Sequence, residues 1–361
     1  MDMQDVSNLV IPEGEVRAIH DEENRLLWGR LNYNTRYMGN IIQDGAPTPD
    51  SPQNVNVVTG TQTVNVMGKN LCYDIQRPTT NSIRFFFSKA LSSSTITIST
   101  ALNVATASNT ISLWVDNSNI GNIGTFSGSA GETISRTFTF TASQMSAIQS
   151  GSEICLQLYK SNAGFTLPTW AQIELGSPAT AYEPYQSQSY TVNLGSTELC
   201  KLGTHQDYIY KSGNDWYVHK AIGKTVLDGS EDWFKSGTSA IDRFGVPNTY
   251  FGGVTSMSSS TTISDHFVYN SGAIYGTYHI SGANVYFDYT PNGTTTKNQW
   301  VAWLSSNHTT VYYVVGTPTD TKITDATLIA QLDAVHQFLT RYGYNGAVSG
   351  NLPIIIDRTN L

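Results

Sequence analysis

Charge is what this chain has least of. Asp, Glu, Lys and Arg make up only 13% of its 361 residues, about half the ordinary share of a soluble domain. The balance is acidic, with 20 basic against 28 acidic side chains and a formal net charge of −8, and no basic block occurs. That argues against nucleic acid as a partner, because nothing here would neutralise a phosphate backbone. It argues equally against docking on anionic lipid. Cysteine is scarce too. Cys72, Cys155 and Cys200 form no C-x-x-C and no Cys/His cluster, so three buried free thiols are expected rather than a disulfide framework or a structural zinc site. No apolar run approaches the roughly 20 residues of a membrane span. The N-terminal M-D-M-Q-D-V-S-N lacks the basic and apolar regions of a signal peptide. A soluble chain, made in a cytoplasm and without a membrane partner, is the expectation.

Ser, Thr, Asn and 30 Gly take the place of charge, alongside 39% hydrophobic and 11% aromatic residues. Thr packs well on a pleated face, and Gly and Asn tolerate positive φ in turns. Many short strands joined by tight turns should follow, an all-β fold. Residues 1–45 read as a separate head. There V-I at 10–11, the turns P-E-G-E at 12–15 and D-E-E-N at 21–24, and L-L-W-G at 26–29 make a β-hairpin. A lone hairpin rarely stands in water. So short a segment cannot by itself bury Leu26, Leu27, Trp28 and Tyr33, and it is expected to dock on another protein or on symmetry mates. The stretch G-A-P-T-P-D-S-P at 45–52 reads as a linker, since its prolines fix φ and remove donors.

A sandwich is expected over 46–187. V-N-V-V-T-G-T-Q-T-V-N-V at 55–66 alternates about a Gly-centred turn, as a hairpin would. R-F-F-F (84–87), T-I-T-I-S (95–99), T-I-S-L-W-V (110–115), R-T-F-T-F-T (136–141), E-I-C-L-Q-L-Y (153–159) and W-A-Q-I-E-L (170–175) follow at regular spacing. That rhythm is the mark of a β-sandwich or jelly roll. A second β-rich domain spans 188–318, with a hairpin over 208–220 pivoting on Gly213, Asn214 and Asp215. Further strands fall at 265–269, 283–289 and 310–315, and a short helix at W-V-A-W-L, 300–304. The segment 319–361 closes the chain with a helix and a strand over 351–357. The helix has Thr324 as N-cap, Leu328, Ile329, Leu332, Val335 and Leu339 on one face, and Gly343 at its end.

Chemistry is thinly signalled. No G-x-S-x-G, H-E-x-x-H, P-loop or dinucleotide fingerprint occurs, and no D-x-D-x-D run suggests calcium. Two carboxylates suffice to cleave a glycan, and Glu231 with Asp232, or Glu174 with Glu183, would be the pairs to test. As turn carboxylates they are expected to be solvated. The seven histidines lie singly, His219 and His279 in strand-like alternation. No catalytic residue, metal site or cofactor is assigned. Glycan binding has more support, because sugar C–H faces stack on aromatic rings while hydroxyls bond to amides and carboxylates. In L-W-V-D-N-S-N at 113–119, Trp114 is followed by Asp116, Asn117 and Asn119. Ile111, Leu113 and Val115 share one strand face, which leaves Ser112 and Trp114 on the other. The competing reading makes Trp114 a core residue, as it would Trp170, Trp216 and Trp233. Trp300 and Trp303, three apart on a helix, favour core.

Several phrases resemble the modular structural proteins of tailed bacteriophages and prophages of Gram-positive bacteria. I-P-E-G-E-V-R-A-I-H-D (11–21) with L-L-W-G is similar to their N-terminal segment, and P-T-P-D-S-P-Q-N-V-N-V-V-T-G (47–60) and V-M-G-K-N-L (66–71) to their linker and first-strand phrases. A-Q-I-E-L-G-S-P-A-T-A-Y-E-P-Y (171–185) resembles the exit of their jelly-roll modules, which are similar to carbohydrate-binding modules. The phrases at 199–224 and 312–325 resemble a downstream module. The resemblance implies a non-enzymatic virion protein, a tail-fibre or baseplate adhesin made in the bacterial host. It also implies that residues 1–45 attach to other virion proteins, that host cell-wall glycan is the partner, and that the subunit is a homotrimer. A purely architectural subunit and a glycan-degrading depolymerase are the alternatives. The phrases are architectural, so Trp114, Asp116, Asn117 and Asn119 rest on their own chemistry.

Overall fold

Strand accounts for 51% of the chain and helix for 13%, so the all-β class expected from the Thr-rich alternation is what forms. The computed structural model describes residues 18–20, 26–29, 32–342, 348–350, 352 and 354–359, apart from 90, 92, 104–105, 161–163, 177, 237–240, 272–273 and 291–292. The first strands are β1 (Ala18–His20), β2 (Leu26–Gly29), β3 (Asn32–Met38), β4 (Ile41–Gln43), β5 (Val55–Val57) and β6 (Thr61–Met67). Then come β7 (Cys72–Thr79), β8 (Ser82–Phe87), β9 (Thr95–Ala101), β10 (Thr106–Val115), β11 (Ser118–Gly128) and β12 (Thr133–Thr139). Helix α1 (Ala142–Ser150) precedes β13 (Ile154–Tyr159), β14 (Ala171–Leu175), β15 (Ser187–Asn193), β16 (Lys201–Leu202), β17 (His205–Gln206), β18 (Tyr208–Ser212) and β19 (Asp215–Leu227). Next are β20 (Phe234–Lys235), β21 (Asp242–Pro247), β22 (Thr262–Ser264), β23 (Val268–Tyr269), β24 (Thr277–Ser281) and β25 (Asn284–Thr290). Helix α2 (Lys297–Ser306), β26 (Thr309–Lys322), helix α3 (Ala326–Tyr342), β27 (Val348–Gly350) and β28 (Ile354–Thr359) complete the chain.

The sandwich packs a five-stranded sheet, ordered β11-β10-β13-β8-β7, on a three-stranded one, β12-β9-β14. Register lines up Ile111, Leu158 and Ile83 in one row and Leu113, Leu156 and Phe85 in the next. All six are fully buried, against Ile96, Ile98 and Ile173 of the other sheet. Each such side chain contributes about 1.5–3 kcal/mol of transfer free energy. The outer face of β9 carries hydroxyls instead: Thr97 meets Thr137 and Ser99 meets Ser135, both at 2.8 Å. Helix α1 has no counterpart in the expected pattern. It is closed by a capping box between Thr141 and Gln144, and buries only Gln144 and Ile148.

The sandwich is an insertion. β6 pairs antiparallel with β15 so that Met67 faces Ser187 and Thr61 faces Asn193, and residues 68–186 leave and return at that one point. Asn70, 2% exposed, closes the neck. Its amide nitrogen donates to the carbonyls of Ala171 at 3.0 Å and Glu183 at 2.9 Å, while its oxygen accepts from the amides of Cys72 and Ile173 at 2.9 and 3.1 Å. Lys69 adds an ion pair to Glu183 at 2.8 Å.

The strands nearest the neck differ from expectation. β5 and β6 do not pair as a hairpin over 55–66: β5 pairs with β4, and β6 with β15 and β27. The Pro-rich stretch is therefore the loop joining β4 to β5, not a spacer between domains. It is tied down by the Thr48–Ser51 bridge and by a hydrogen bond from the Tyr275 hydroxyl to Asp50. The three prolines suit a loop as well as a linker, since both need preset φ and few donors. β1 and β2 do pair as a hairpin, Ile19 facing Trp28. The side chains of Leu26, Leu27, Trp28 and Tyr33, and the turns at 12–15 and 21–24, lie outside the described residues. β3, however, runs between β18 and β28 inside a six-stranded sheet, β22-β26-β19-β18-β3-β28, and its Tyr37 is fully buried. Part of segment 1–45 is thus an interior strand of the larger unit.

Helix α3 covers that sheet and the β15-β6-β27 sheet, burying Leu328, Leu332, Val335, Phe338 and Leu339 against Tyr37, Val64, Val192 and Trp216. Its start is one residue later than expected, because the Asp325 carboxylate, not Thr324, accepts the Leu328 amide at 2.9 Å. Gly343 lies outside the described residues. A last core joins α2 to the sheet β20-β21-β25-β24-β23, with Trp300, Trp233, Phe244 and Phe287 at its centre. Three fully buried carboxylates are pinned in this larger unit. Asp207 takes the amides of Ala221 and Ile222 at a bulge in β19, Asp242 takes Lys235, and Asp288 takes Arg243.

Candidate functional site

The outward face of the five-stranded sheet collects the sequence-derived candidates. Parity holds: Ile111, Leu113 and Val115 point into the core, and Trp114 lies on the other face, half-buried. Trp114 sits opposite Cys155, which sits opposite Phe86. The next row is Ser112, Gln157 and Arg84, and the one beyond is Thr110, Tyr159 and Ser82. Trp114 and Tyr159 are therefore displaced by about four residues of rise along the sheet, roughly 14 Å, with Arg84 and Gln157 between. Tyr159 is 50% exposed. Towards the β7 edge the face is roofed, since Phe86 is 2% exposed under Tyr73, which in turn meets Tyr185.

Arg84 is the hub, and it was not among the residues singled out from the sequence. Its guanidinium lies 4.7 Å from the centre of the Trp114 ring, a cation–π contact. Its Nε donates to the Gln157 side-chain Oε1 at 2.7 Å, and Nη1 to the Asn117 side-chain Oδ1 at 2.8 Å. One face of Trp114 is thus occupied by an arginine, and its Nε1 is buried without a hydrogen-bond partner among the described residues.

Asp116 and Asn117 owe their place first to geometry. They form the two-residue turn between β10 and β11 with φ of 47° and 62°, and such a turn needs residues that tolerate positive φ. The Asp116 carboxylate accepts the amides of Ser152 and Glu153 at 3.0 and 2.8 Å, and Asn119 accepts the Gly121 amide at 2.9 Å. All three stay exposed at the sheet end beside Trp114.

One carboxylate of each pair, Glu231 and Glu174, is buried and occupied structurally. Glu231 is buried rather than solvated, and accepts the Asp228 and Gly229 amides and the Trp233 indole at 2.8–3.1 Å. Glu174, also buried, accepts Thr180. Glu183 belongs to the neck, and Asp232 is exposed. His219 pairs with Asp320 at 2.9 Å, and His279 stacks on Tyr286, its imidazole pKa lowered by burial and by nearby Arg243. Trp216, Trp233 and Trp300 are core, while Trp170 is half-buried against Tyr182. The three cysteines are free and buried. Burial pushes the thiols of Cys72 and Cys200 up to about 12 and that of Cys155 to about 11.

Comparison with protein-family models, with curated proteins and with solved structures finds no match.

Proposed function

We propose that the chain is a structural and adhesion subunit of a bacteriophage particle, non-enzymatic, which holds host cell-wall glycan on the outward face of its sandwich. One observation carries the binding reading: the register places Trp114, Arg84, Gln157 and Tyr159 together on the face turned away from the core. An aromatic at each end with a guanidinium and an amide between suits a short oligosaccharide, its C–H faces on the rings and its hydroxyls on the polar groups. The phage assignment rests on the resemblance of the phrases at 11–29, 47–71 and 171–185. The neck gives two of those phrases a shared physical reason, since Lys69 and Asn70 grip the segment that ends at Tyr185.

A glycan array and binding to purified host wall test this reading, with Tyr159→Ala as the control variant. Its ring is half-exposed, so the fold should tolerate the change while binding falls. The architectural alternative draws support from the arginine over Trp114. It gains the field if the chain enters particles yet binds no wall fraction. Residues 1–31 are the segment to delete for an attachment test, because removing 1–45 would also strip β3 from the six-stranded sheet. Light scattering at three times the 39.5 kDa chain mass would agree with the expected homotrimer.

A further inference from the structure

A second recess lies outside the sandwich, where segment 52–59 crosses the six-stranded sheet. The segment is tied at both ends. The Gln53 amide donates to the Asp265 carbonyl at 2.8 Å, and Val58 and Leu199 join backbone to backbone at 2.8 and 3.3 Å. Val55 and Val57 turn inward onto Cys200, Ile222 and Tyr312, while the alternating Asn54 and Asn56 stay exposed. Segment and sheet enclose a cleft of about 570 Å³, within the range of small-ligand sites.

We propose that this cleft binds a neutral saccharide unit of mono- or disaccharide size. The proposal goes beyond the sandwich-face reading and stands without it. The acceptors in the cleft are held in place before any ligand arrives. Glu198 is fixed by the Lys224 ammonium at 2.6 Å and the Tyr312 hydroxyl at 3.3 Å, and Asp265 by His266 at 2.8 Å and the Thr310 amide at 2.9 Å. Pinned acceptors of this kind recognise hydroxyls with little ordering cost. Two carboxylates face one ammonium and one imidazole in the cleft, which leaves no excess of positive charge to hold phosphate or sulfate. An apolar guest would desolvate Glu198, Asn54 and Asn56 without replacing their hydrogen bonds. The Tyr312 ring is buried beneath Val55 and Val57 and serves the cleft through its hydroxyl on Glu198, so the apolar edge for a sugar C–H face is the half-buried Val57.

Saturation-transfer NMR on the full chain, with N-acetylglucosamine, glucose and glycerol 3-phosphate as probes, tests the proposal. One or both neutral sugars should bind, and binding should weaken about tenfold or more, the equivalent of about 1.4 kcal/mol, in Glu198→Gln. The double variant Asn54→Ala/Asn56→Ala changes only exposed side chains and should show the same loss with its melting temperature unchanged. Tyr159→Ala separates the two surfaces. Sugar binding that survives Tyr159→Ala and falls in the cleft variants belongs to the cleft. Binding that falls only in Tyr159→Ala, tighter binding of glycerol 3-phosphate than of either sugar, or no sugar binding at all would overturn the assignment.

Discussion

Asn70→Ala should be among the costlier single changes in the sandwich, although it removes only a short polar side chain. Asn70 satisfies two backbone carbonyls and two backbone amides at once, and it is 2% exposed. Alanine leaves those four groups facing a void of amide size. An unpaired buried polar group costs about 1–3 kcal/mol. Water reaching the neck through the side of Glu183, whose side chain is 43% exposed, would satisfy about half of them, so a loss of about 3–4 kcal/mol is expected. Lys69→Ala is the matched control. It breaks the neighbouring ion pair and the hydrogen bond from the same ammonium to the Ala181 carbonyl at 2.7 Å, together about 1–2 kcal/mol. Urea unfolding gives the two free energies, and hydrogen exchange locates the loss, which should appear first at the amides of Cys72 and Ile173. A cost below about 1 kcal/mol for Asn70→Ala, or equal costs for the two variants, would refute the view that the buried amide closes the neck.

Trp114→Ala should cost the fold only about 1 kcal/mol. The 3–5 kcal/mol of a core aromatic is reduced by half-burial and by removing an unpaired Nε1–H; chemical denaturation reads this, and a loss above about 3 kcal/mol would make the ring core. Excising residues 68–186 and joining Met67 to Ser187 through Asn-Gly should leave a cooperatively melting remainder by circular dichroism, since those two residues already face each other and a two-residue turn fits the ladder. At Asp242 burial alone would raise the carboxyl, but Lys235, Thr290 and Thr295 hold it at about 2, below the roughly 3.9 of an unfolded chain. Its contribution is complete above about pH 4 and is lost as pH falls towards 2, on the order of 2 kcal/mol. Asp242→Asn should flatten the acid limb of the stability curve in that window.

Strands with one apolar face were legible. T-I-S-L-W-V and E-I-C-L-Q-L-Y alternate cleanly because one side of each meets the core, and the same parity placed Trp114 outward. The edges were not legible. β7 carries Pro78 and few apolar residues, and β11 reads S-N-I-G-N-I-G-T-F-S-G. Edge strands lack a second partner and tolerate Pro, Gly and bulges, which erases the alternation. Helix α1 was hidden for a similar reason, having no apolar stripe. Pairings distant in sequence were beyond reach. Nothing in V-N-V-V-T-G-T-Q-T-V-N-V says that Thr61–Met67 waits some 120 residues for Ser187–Asn193, so a local hairpin looked sufficient. Arg84 went unnoticed beside three phenylalanines, although its parity within S-I-R-F-F-F already set it on the face of Trp114.

The place where the sandwich joins the remainder also governs how the molecule bears load. A pull on the sandwich reaches the rest of the chain through β6 and β15 together, two tethers leaving from neighbouring points and drawn the same way. Force along that direction does not peel one strand from the other. It drags the pair lengthwise against β27 and helix α3, so many contacts must shear at once before anything yields. A domain strung between two separate linkers would instead unravel from whichever end was tugged. In the adhesin role proposed above, such a two-strand root would hold the sandwich to the remainder of the chain under tension.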